Sequence, residues 1–222
     1  MDYITGSIFP LNYGTSIHAF KQRADLKKGE SVLIMGAAGG LGLTAIHVAK
    51  AMGAKVIAAA SSNEKLELCQ SQGADETIQY SRDNMNRDSQ KEFSSQIKAV
   101  TQGQGVDVVF DPVGGAYCEP ALRAIAWKGR YLVIGFTSSI PSIPLNLALL
   151  KGCQIIGVFW GNFCVKEPLV NADNFKDLFN MFENDQIKPF VVETYPLEKT
   201  AHAIELLANR EALGKIAIKI RD

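Results

Sequence analysis

Short apolar runs alternate with segments of helical periodicity along most of this 222-residue chain. A run of about four to eight apolar residues without alternation is typical of a strand that is buried on both faces of a parallel sheet. Such strands are predicted at 31–37, 55–60, 76–80, 106–111, 130–136 and 154–160. Helices are predicted between them near 40–52, 63–72, 88–101, 116–127 and 145–151. Strand–helix–strand units at this spacing predict an α/β fold with a doubly wound, six-stranded parallel sheet.

The pattern differs at the two ends of the chain. Residues 172–185 predict an amphipathic helix, with Phe175, Leu178, Phe179 and Phe182 on one face. A C-terminal β-α-β tail follows, and a helix is predicted before the first strand. The predicted bounds are a strand at 189–195, a helix over 197–209, a strand at 214–220 and the leading helix at 14–26.

Charge and hydropathy limit which classes of partner are expected for this chain. The chain has 23 basic and 23 acidic residues, so there is no electrostatic reason to expect nucleic acid or an anionic membrane as a partner. No apolar run reaches the roughly 18 residues that a membrane span needs. The first residues lack a basic region followed by an apolar stretch, so they do not resemble a secretory signal. A cytoplasmic location is expected.

Cysteines and histidines are scattered. Cys69, Cys118, Cys153 and Cys164 form no CxxC pair, and reduced thiols are favoured over a disulfide framework. The three histidines, at 18, 47 and 202, form no HExxH motif or Cys/His cluster. No metal site is therefore predicted from local sequence, although a site assembled in space remains open.

Glycines follow the first predicted strand and open the next helix. Gly36, Gly39 and Gly42 are spaced G-x-x-G-x-x-G, with Gly40 in addition. A strand–turn–helix context of this kind lets the backbone approach a pyrophosphate at a helix N-terminus. The alternative is a tight turn that binds nothing. The position of the turn at the first strand of an alternating pattern favours a dinucleotide-binding Rossmann sheet.

The end of the second strand indicates which dinucleotide is bound. NAD sites usually place an acid there for the ribose 2′-OH, whereas a 2′-phosphate is better matched by hydroxyls and cations. Here the strand is followed by Ser61 and Ser62, with Lys65 one turn into the next helix. Glu64 is close in sequence but is expected to face solvent. These residues favour NADP(H), and the alternative for Lys65 is a solvated helix lysine.

Several longer motifs together resemble the quinone oxidoreductase-like (zeta-crystallin-like) branch of the medium-chain dehydrogenase/reductases. They are "AAGGLGLTAIHVAKAMGAKVIAAASSNEKLELCQSQGAD", "GVDVVFDPVGG", "LRAIAWKGRYLVIGF" and "IPLNLALLKGCQIIGVFWG". The resemblance covers essentially the whole chain. It implies an enzyme in which NADPH delivers hydride to a quinone, an enone or a similar small-molecule acceptor, without zinc.

The resemblance also implies the cofactor-binding residues. The turn from Ala37 to Gly42 should hold the pyrophosphate, Ser61 and Lys65 the 2′-phosphate, and Arg210 should complete the phosphate pocket. Tyr80 should lie beside the adenosine and Thr15 near the nicotinamide, whose other walls are the loops at 111–115, 135–136 and 159–161. The full predicted set is Thr15, Ala37, Ala38, Gly39, Gly40, Leu41, Gly42, Ser61, Lys65, Tyr80, Val113, Gly135, Phe136, Phe159, Trp160, Gly161 and Arg210.

Several of these residues have an ordinary structural alternative. From the residues alone, the aromatic residues at 136, 159 and 160 are better explained by a core or a subunit contact, and Tyr80 by a strand end. Only the resemblance favours cofactor binding for these aromatic residues. Arg210 is also typical of a cation near a helix C-terminus. No residue is assigned a catalytic role, because the resemblance implies that a reduced quinone takes its proton from solvent.

The resemblance predicts three segments and one absence. The segments are a lead-in helix (1–29), a Rossmann dinucleotide-binding domain (30–188) and a C-terminal segment of the catalytic domain (189–222). The N-terminal GroES-like domain of the family is expected to be missing, which would leave half of the substrate cleft and only partial turnover.

Two functions therefore compete at this stage. One is an NADPH-dependent oxidoreductase of the quinone or enone type. The other is an NADP-binding module or remnant without turnover, acting as a regulator or binding RNA or protein. In either case a homodimer is expected through the apolar sheet edge near 153–160.

Overall fold

A six-stranded parallel sheet forms the centre of the protein in the computed structural model, which describes residues 1–81, 86–209 and 211–220. Its strands are β1 (Ser31–Met35), β2 (Lys55–Ala60), β3 (Glu76–Gln79), β4 (Val106–Asp111), β5 (Ile125–Val133) and β6 (Gln154–Gly157). They lie in the order β3-β2-β1-β4-β5-β6. The strand order reverses between β1 and β4, and at such a point the loops diverge to leave a crevice at the carboxyl edge.

Nine α-helices connect or flank these strands in the described part of the chain. They are α1 (Tyr3–Ile17), α2 (Gly40–Ala51), α3 (Asn63–Ser71), α4 (Arg87–Val100), α5 (Cys118–Arg123), α6 (Asn146–Lys151), α7 (Trp160–Lys166), α8 (Pro168–Glu183) and α9 (Thr200–Ala208). A separate pair of parallel strands, β7 (Val191–Pro196) and β8 (Lys215–Lys219), is joined through α9. The predicted doubly wound sheet and its β-α-β tail are confirmed.

The sheet is buried on both faces, as its unbroken apolar runs predict. Alternate residues of β1 point to opposite sides. Val32 and Ile34 belong to the core that includes α1, α2 and α8, whereas Leu33 and Met35 belong to the core that includes α4 and α5. Packing on both faces of the sheet fixes the position of β1, and with it the position of the turn that follows.

The leading helix is longer than predicted. The prediction placed it at 14–26, but α1 begins at Tyr3, capped by the Asp2 carboxylate, and a π-helical turn follows at His18–Arg23. Gly6, Pro10 and Gly14 all argue against a helix on propensity alone. Burial of Phe9 and Tyr13, which are 2% and 0% exposed, outweighs that propensity.

Two predicted boundaries in the second half of the sheet are wrong. Residues 125–127 were assigned to a helix over 116–127, but α5 ends at Arg123 and β5 starts at Ile125. The pairing register of β4 and β5 shifts between Val106 and Val108, which accommodates the additional β5 residues between Ile125 and Arg130. The last strand was predicted to run through residue 160, but β6 ends at Gly157 and Trp160 begins α7.

A buried histidine joins three helices on one side of the sheet. The Tyr13 hydroxyl of α1 lies 2.7 Å from His47 Nδ1 of α2, and His47 Nε2 lies 3.0 Å from Gln72 Oε1 at the end of α3. Both bonds form when the neutral imidazole carries its proton on Nε2. Burial lowers the pKa of His47, and it also lowers the pKa of His18, which stacks on Phe163.

We expect the free energy of unfolding to fall as the pH drops below about 6.5. The unfolded chain takes up protons at histidines that the folded protein keeps neutral, so the stabilisation is complete above that pH. The slope is at most about 1.4 kcal/mol per pH unit for each histidine. Chemical denaturation between pH 5 and 8 measures it. His47→Gln should flatten the slope. An unchanged slope in His47→Gln would contradict this assignment.

Candidate functional site

The glycine turn lies between β1 and α2 at the crevice. Gly36 has a φ of 59°, a left-handed conformation that favours glycine. The Gly39 N–H donates to Gly36 O at 3.0 Å, and the Ala37 N–H donates to Ala59 O at 3.0 Å, which ties the turn to β2. These bonds hold the turn closed over the carboxyl edge of the sheet.

The first turn of α2 is open to an anion. Among the described side chains none caps this helix at Gly39, whereas Asp2, Ser62 and Asn86 cap α1, α3 and α4. The first N–H groups of a helix have no partner within it. Their partial positive charge favours an anionic ligand at this point. The residues present therefore fit a pyrophosphate.

Gly42 brings the helix against the turn itself. A Cβ added at Gly42 would lie 2.5 Å from Ala37 O and 2.6 Å from Ala37 C, both backbone atoms. No side chain fits there without moving the turn. The third glycine of the motif, Gly42, therefore allows α2 to pack closely against the turn.

Ser61 and Ser62 at the end of β2 have different surroundings. The Ser62 hydroxyl is the N-cap of α3 and accepts from the Lys65 N–H at 3.4 Å, which is a structural role. Ser61 and Lys65 line a crevice of about 420 Å³ that runs along the glycine turn. The two residues predicted for the phosphate pocket therefore face one space.

The crevice brings together about a third of the predicted site. Its walls include six of the predicted residues, namely Ala38, Gly39, Ser61, Lys65, Tyr80 and Val113. A Cβ added at Gly36 would lie 2.9 Å from Val113 Cγ2, so the loop after β4 packs directly on the glycine turn. The β1 and β4 loops thus form the two sides of the switch point.

A second cavity of about 780 Å³ adjoins the crevice and shares Ser61, Lys65, Tyr80 and Tyr117 with it. The Tyr80 ring lies 4.4 Å from Tyr117 and 5.9 Å from Phe93, between ring centroids. The Tyr117 ring is tilted by 56° and the Phe93 ring by 76° relative to Tyr80, so the three form an aromatic cluster, from which each tyrosine offers a separate ring to the cavity. The charges around this cavity are mixed, since the side chains of Glu64, Glu92 and Glu211 line it with Lys65.

The loop after β4 is held by a buried carboxylate. Asp111 is 4% exposed, and its Oδ1 accepts from the N–H groups of Val113 and Gly114 at 2.8 and 2.9 Å. The Tyr131 hydroxyl of β5 donates to Asp111 Oδ2 at 2.5 Å. Burial, with Asp111 beside it, raises the pKa of Tyr131 well above its usual value, so the phenol remains a donor.

The remaining predicted residues do not line the crevice. Ala37, Gly40, Leu41 and Gly42 build the turn and the start of α2. The Thr15 hydroxyl donates to Leu11 O within its own helix at 2.7 Å. Gly135 and Phe136 follow β5, and Phe159, Trp160 and Gly161 follow β6. Arg210 lies outside the described residues. The roles of all these residues in binding a cofactor stay predictions.

The Trp160 side chain packs against the leading helix, α1. A Cβ added at Gly14 would lie 2.7 Å from Trp160 Cε2 and Cζ2, so the indole lies flat on the α1 backbone. Its Nε1–H donates to Asn171 Oδ1 of α8 at 3.1 Å. Trp160 therefore packs on Gly14, the residue before Thr15 in α1, and this packing is a structural role.

Sequence reasoning missed part of the crevice wall. Thr137, Ser138 and Ser139 of the loop after β5 line it, as do Leu207 and Ala212 of the tail. The Ser138 N–H donates to Val113 O at 2.9 Å, which joins the β5 loop to the β4 loop. Three small hydroxyl residues directly after a strand were a usable signal. The tail residues carried none, because only the tertiary fold brings them to the turn.

Two classes of feature are absent from the described residues. No group of three or more His, Cys, Asp or Glu side chains is placed to hold a metal ion in residues 1–81, 86–209 and 211–220. Among the helices in these same ranges, none is both long and apolar enough to cross a bilayer.

Comparisons with known proteins find a matching family model and related sequences. A family model described as "Zinc-binding dehydrogenase" matches residues 40–182. Quinone oxidoreductase-like protein 2 of Bos taurus is 37% identical over 214 residues, covering 96% of this chain and 59% of the relative. Its homolog from Nematostella vectensis is 33% identical over 224 residues, covering 100% and 59%. The chain thus spans 59% of the length of these relatives.

Solved structures share the fold. A probable oxidoreductase from Mycobacterium abscessus superposes with a TM-score of 0.84 at 30% identity, covering 99% of this chain and 64% of that one. A quinone oxidoreductase from Pseudomonas syringae has a TM-score of 0.84 at 26% identity, covering 99% and 66%. The glycine turn and the crevice therefore occur in a fold that oxidoreductases share.

Proposed function

Because the chain belongs to the zinc-binding dehydrogenase family, we propose that it is an NADPH-dependent oxidoreductase, or the cofactor-binding part of one, that transfers hydride to a quinone or enone-type acceptor. The names of its relatives confirm the resemblance to the quinone oxidoreductase-like branch. The observation that carries the proposal is the uncapped first turn of α2, placed at the switch point of the sheet beside Ser61 and Lys65.

The described residues support the binding of a nicotinamide dinucleotide. The turn before α2 presents backbone N–H groups to a pyrophosphate, and the tyrosine-lined cavity accepts the adenosine end. When bound, the nicotinamide supplies the hydride. On the protein side, the Asp111 carboxylate and the Tyr131 hydroxyl fix the loop that carries Val113, and this loop limits how far the dinucleotide extends from the turn.

The choice of NADP over NAD rests on one lysine. Ser61 and Lys65 share the crevice, and a 2′-phosphate there would gain a charge-assisted bond from the ammonium group. Lys65 also lines the larger cavity of about 780 Å³ together with Glu64, Glu92 and Glu211, and these three carboxylates oppose a further negative charge. We propose that the phosphate lies on the Lys65 side, with the three glutamates away from it.

We expect NADPH to bind more tightly than NADH, and Lys65→Met to remove most of the difference. A lost charge-assisted bond of about 1.4 kcal/mol corresponds to a tenfold weaker NADPH affinity, with NADH affinity unchanged. Fluorescence titration of both dinucleotides measures this directly. Lys176→Met, on the exposed face of α8, is the control that should change neither affinity. Equal affinities in the unmodified protein would contradict the NADP assignment, and no binding of either would overturn the proposed function.

The acceptor and the absence of zinc are also proposed from the resemblance. Oxidation of NADPH in the presence of a small quinone, with the metal content of the protein measured in parallel, tests both. Turnover in protein that contains no stoichiometric zinc supports the proposal. Binding of NADPH without turnover on any quinone or enone would favour the alternative, an NADP-binding module.

We propose in addition that the protein pairs with a second copy through β6. This strand ends the sheet, and within the described residues its outer edge pairs with no further strand. Exposed apolar side chains lie close in sequence to that edge, among them Leu149, Leu150 and Phe159. Sedimentation at micromolar concentration is expected to give a dimer, and a sharp monomer would overturn this arrangement.

A further inference from the structure

The C-terminal tail lies directly against the glycine turn. The Gly214 N–H donates to Ala38 O at 2.8 Å, and Gly39 and Gly214 form a parallel β-bridge. Leu207 and Ala212 line the same crevice as Ala38 and Gly39. The tail therefore supplies one wall of the space that the turn opens, and the residue after Gly214 is held at the start of α2.

That residue is Lys215, whose stem covers Gly40. A Cβ added at Gly40 would lie 2.8 Å from both Cγ and Cδ of Lys215, and 3.0 Å from its Cε. Gly40 is the first residue of α2. The absence of a side chain at Gly40 thus lets the lysine lie over the helix N-terminus.

The ammonium group of Lys215 has no counter-charge in the described part of the chain. Two lysines elsewhere in the described residues do have such a partner: Lys50 pairs with Asp75 and Lys21 with Asp177. The side chain of Lys215 forms no ion pair or hydrogen bond with any described residue, and its backbone pairs within the β7–β8 ladder. The side chain is half-buried, and this burial lowers its pKa.

A cation in this place is unfavourable by itself. The N-terminus of a helix carries the equivalent of about half a positive charge, which repels an ammonium group, and partial burial removes water that would screen the repulsion. An anion between Lys215 and the first N–H groups of α2 would be attracted by both. The stem of Lys215 and the first turn of α2, which come from distant parts of the sequence, meet at Gly40.

We propose that Lys215 binds the pyrophosphate of the dinucleotide, together with the N-terminal turn of α2. This inference rests on the proposed function and adds to it a residue of the tail. In this arrangement the ammonium group donates to a phosphate oxygen, while Gly40 and Leu41 donate through their backbone N–H groups.

The test compares Lys215→Met with Lys219→Met in the full chain. Methionine keeps an unbranched apolar stem over Gly40 and removes only the charge, and Lys219 lies on the same strand, β8. Titration with NADPH should give a dissociation constant about tenfold higher for Lys215→Met and an unchanged one for Lys219→Met. Adenosine 2′-monophosphate, which has no pyrophosphate, should bind all three proteins equally. Lys215→Arg should restore NADPH affinity to within about threefold.

Unchanged NADPH affinity in Lys215→Met would overturn the proposal. Tighter binding would also overturn it, since the lysine would then obstruct the turn. Inorganic pyrophosphate separates this inference from the proposed function. If no dinucleotide binds the unmodified protein, but pyrophosphate binds it and not Lys215→Met, the proposed function fails and the anion site stands. If pyrophosphate also fails to bind the unmodified protein, both are overturned.

Discussion

Replacing Gly42 with alanine is expected to lower the free energy of unfolding by about 3 kcal/mol and to abolish dinucleotide binding. The new methyl group would lie 2.5 Å from Ala37 O and 2.6 Å from the Ala37 carbonyl carbon and Cα. These are backbone atoms, so no side-chain rotation relieves the clash. Either α2 moves away from the sheet or the turn opens, and both displace the N–H groups that face the crevice. Urea denaturation and NADPH titration measure the two effects.

The matched control is Gly6→Ala. Gly6 is also a helical glycine, but only Met1 Sδ lies within 4 Å of a Cβ added there, at 4.0 Å. Alanine in place of glycine within a helix stabilises it by about 1 kcal/mol, and this gain should appear at Gly6 alone. A Gly42→Ala protein as stable as Gly6→Ala, with normal NADPH affinity, would show that the close packing of helix and turn is not required.

Replacing Asp111 with alanine is expected to have the second largest effect. The change removes the acceptor for two backbone N–H groups and for the hydroxyl of Tyr131, which is 1% exposed. Each buried donor left without a partner costs about 1–3 kcal/mol, so the free energy of unfolding should fall by about 4 kcal/mol. The loop that carries Val113 loses its anchor, and NADPH affinity should fall at least about tenfold.

Asp107→Ala is the control that separates the loss of stability from the loss of NADPH affinity. Asp107 lies near the opposite end of β4, where its Oδ2 accepts from the Ser31 N–H and Ser31 hydroxyl at 2.8 and 2.7 Å. Its loss should reduce stability but leave NADPH affinity unchanged, because the strand end at the crevice is intact. Hydrogen exchange at the Gly114 amide should rise in Asp111→Ala and not in Asp107→Ala. Wild-type NADPH affinity in Asp111→Ala would contradict a positioning role for this carboxylate.

The parallel sheet could be predicted from sequence because each of its strands is buried on both faces. Unbroken apolar runs of this kind have few alternative structures. The misplaced boundaries lie where a local pattern is overridden by a contact distant in sequence. The residues between Ile125 and Arg130 remain in β5 because a register shift accommodates them, and Trp160 begins a helix where its indole packs on Gly14.

The candidate site also contains some residues that local sequence predicts and others that it does not. Gly36, Gly39, Ser61 and Lys65 could be predicted because a strand-turn-helix motif places its own residues at the crevice. The tail residues that line the crevice, Leu207 and Ala212, carried no local signal. The same holds for Lys215, which begins a strand of alternating pattern and is brought to α2 only by the pairing of Gly214 with Gly39.

That pairing has a consequence for synthesis of the chain on the ribosome. The glycine turn is translated before Gly214 and Lys215, and six strands (β2 to β7) and eight helices (α2 to α9) of the described residues lie between them. While these elements are being made, the crevice lacks the wall that the tail supplies. A nascent chain therefore cannot use full dinucleotide affinity to stabilise the folding of its glycine turn until Lys215 has been translated.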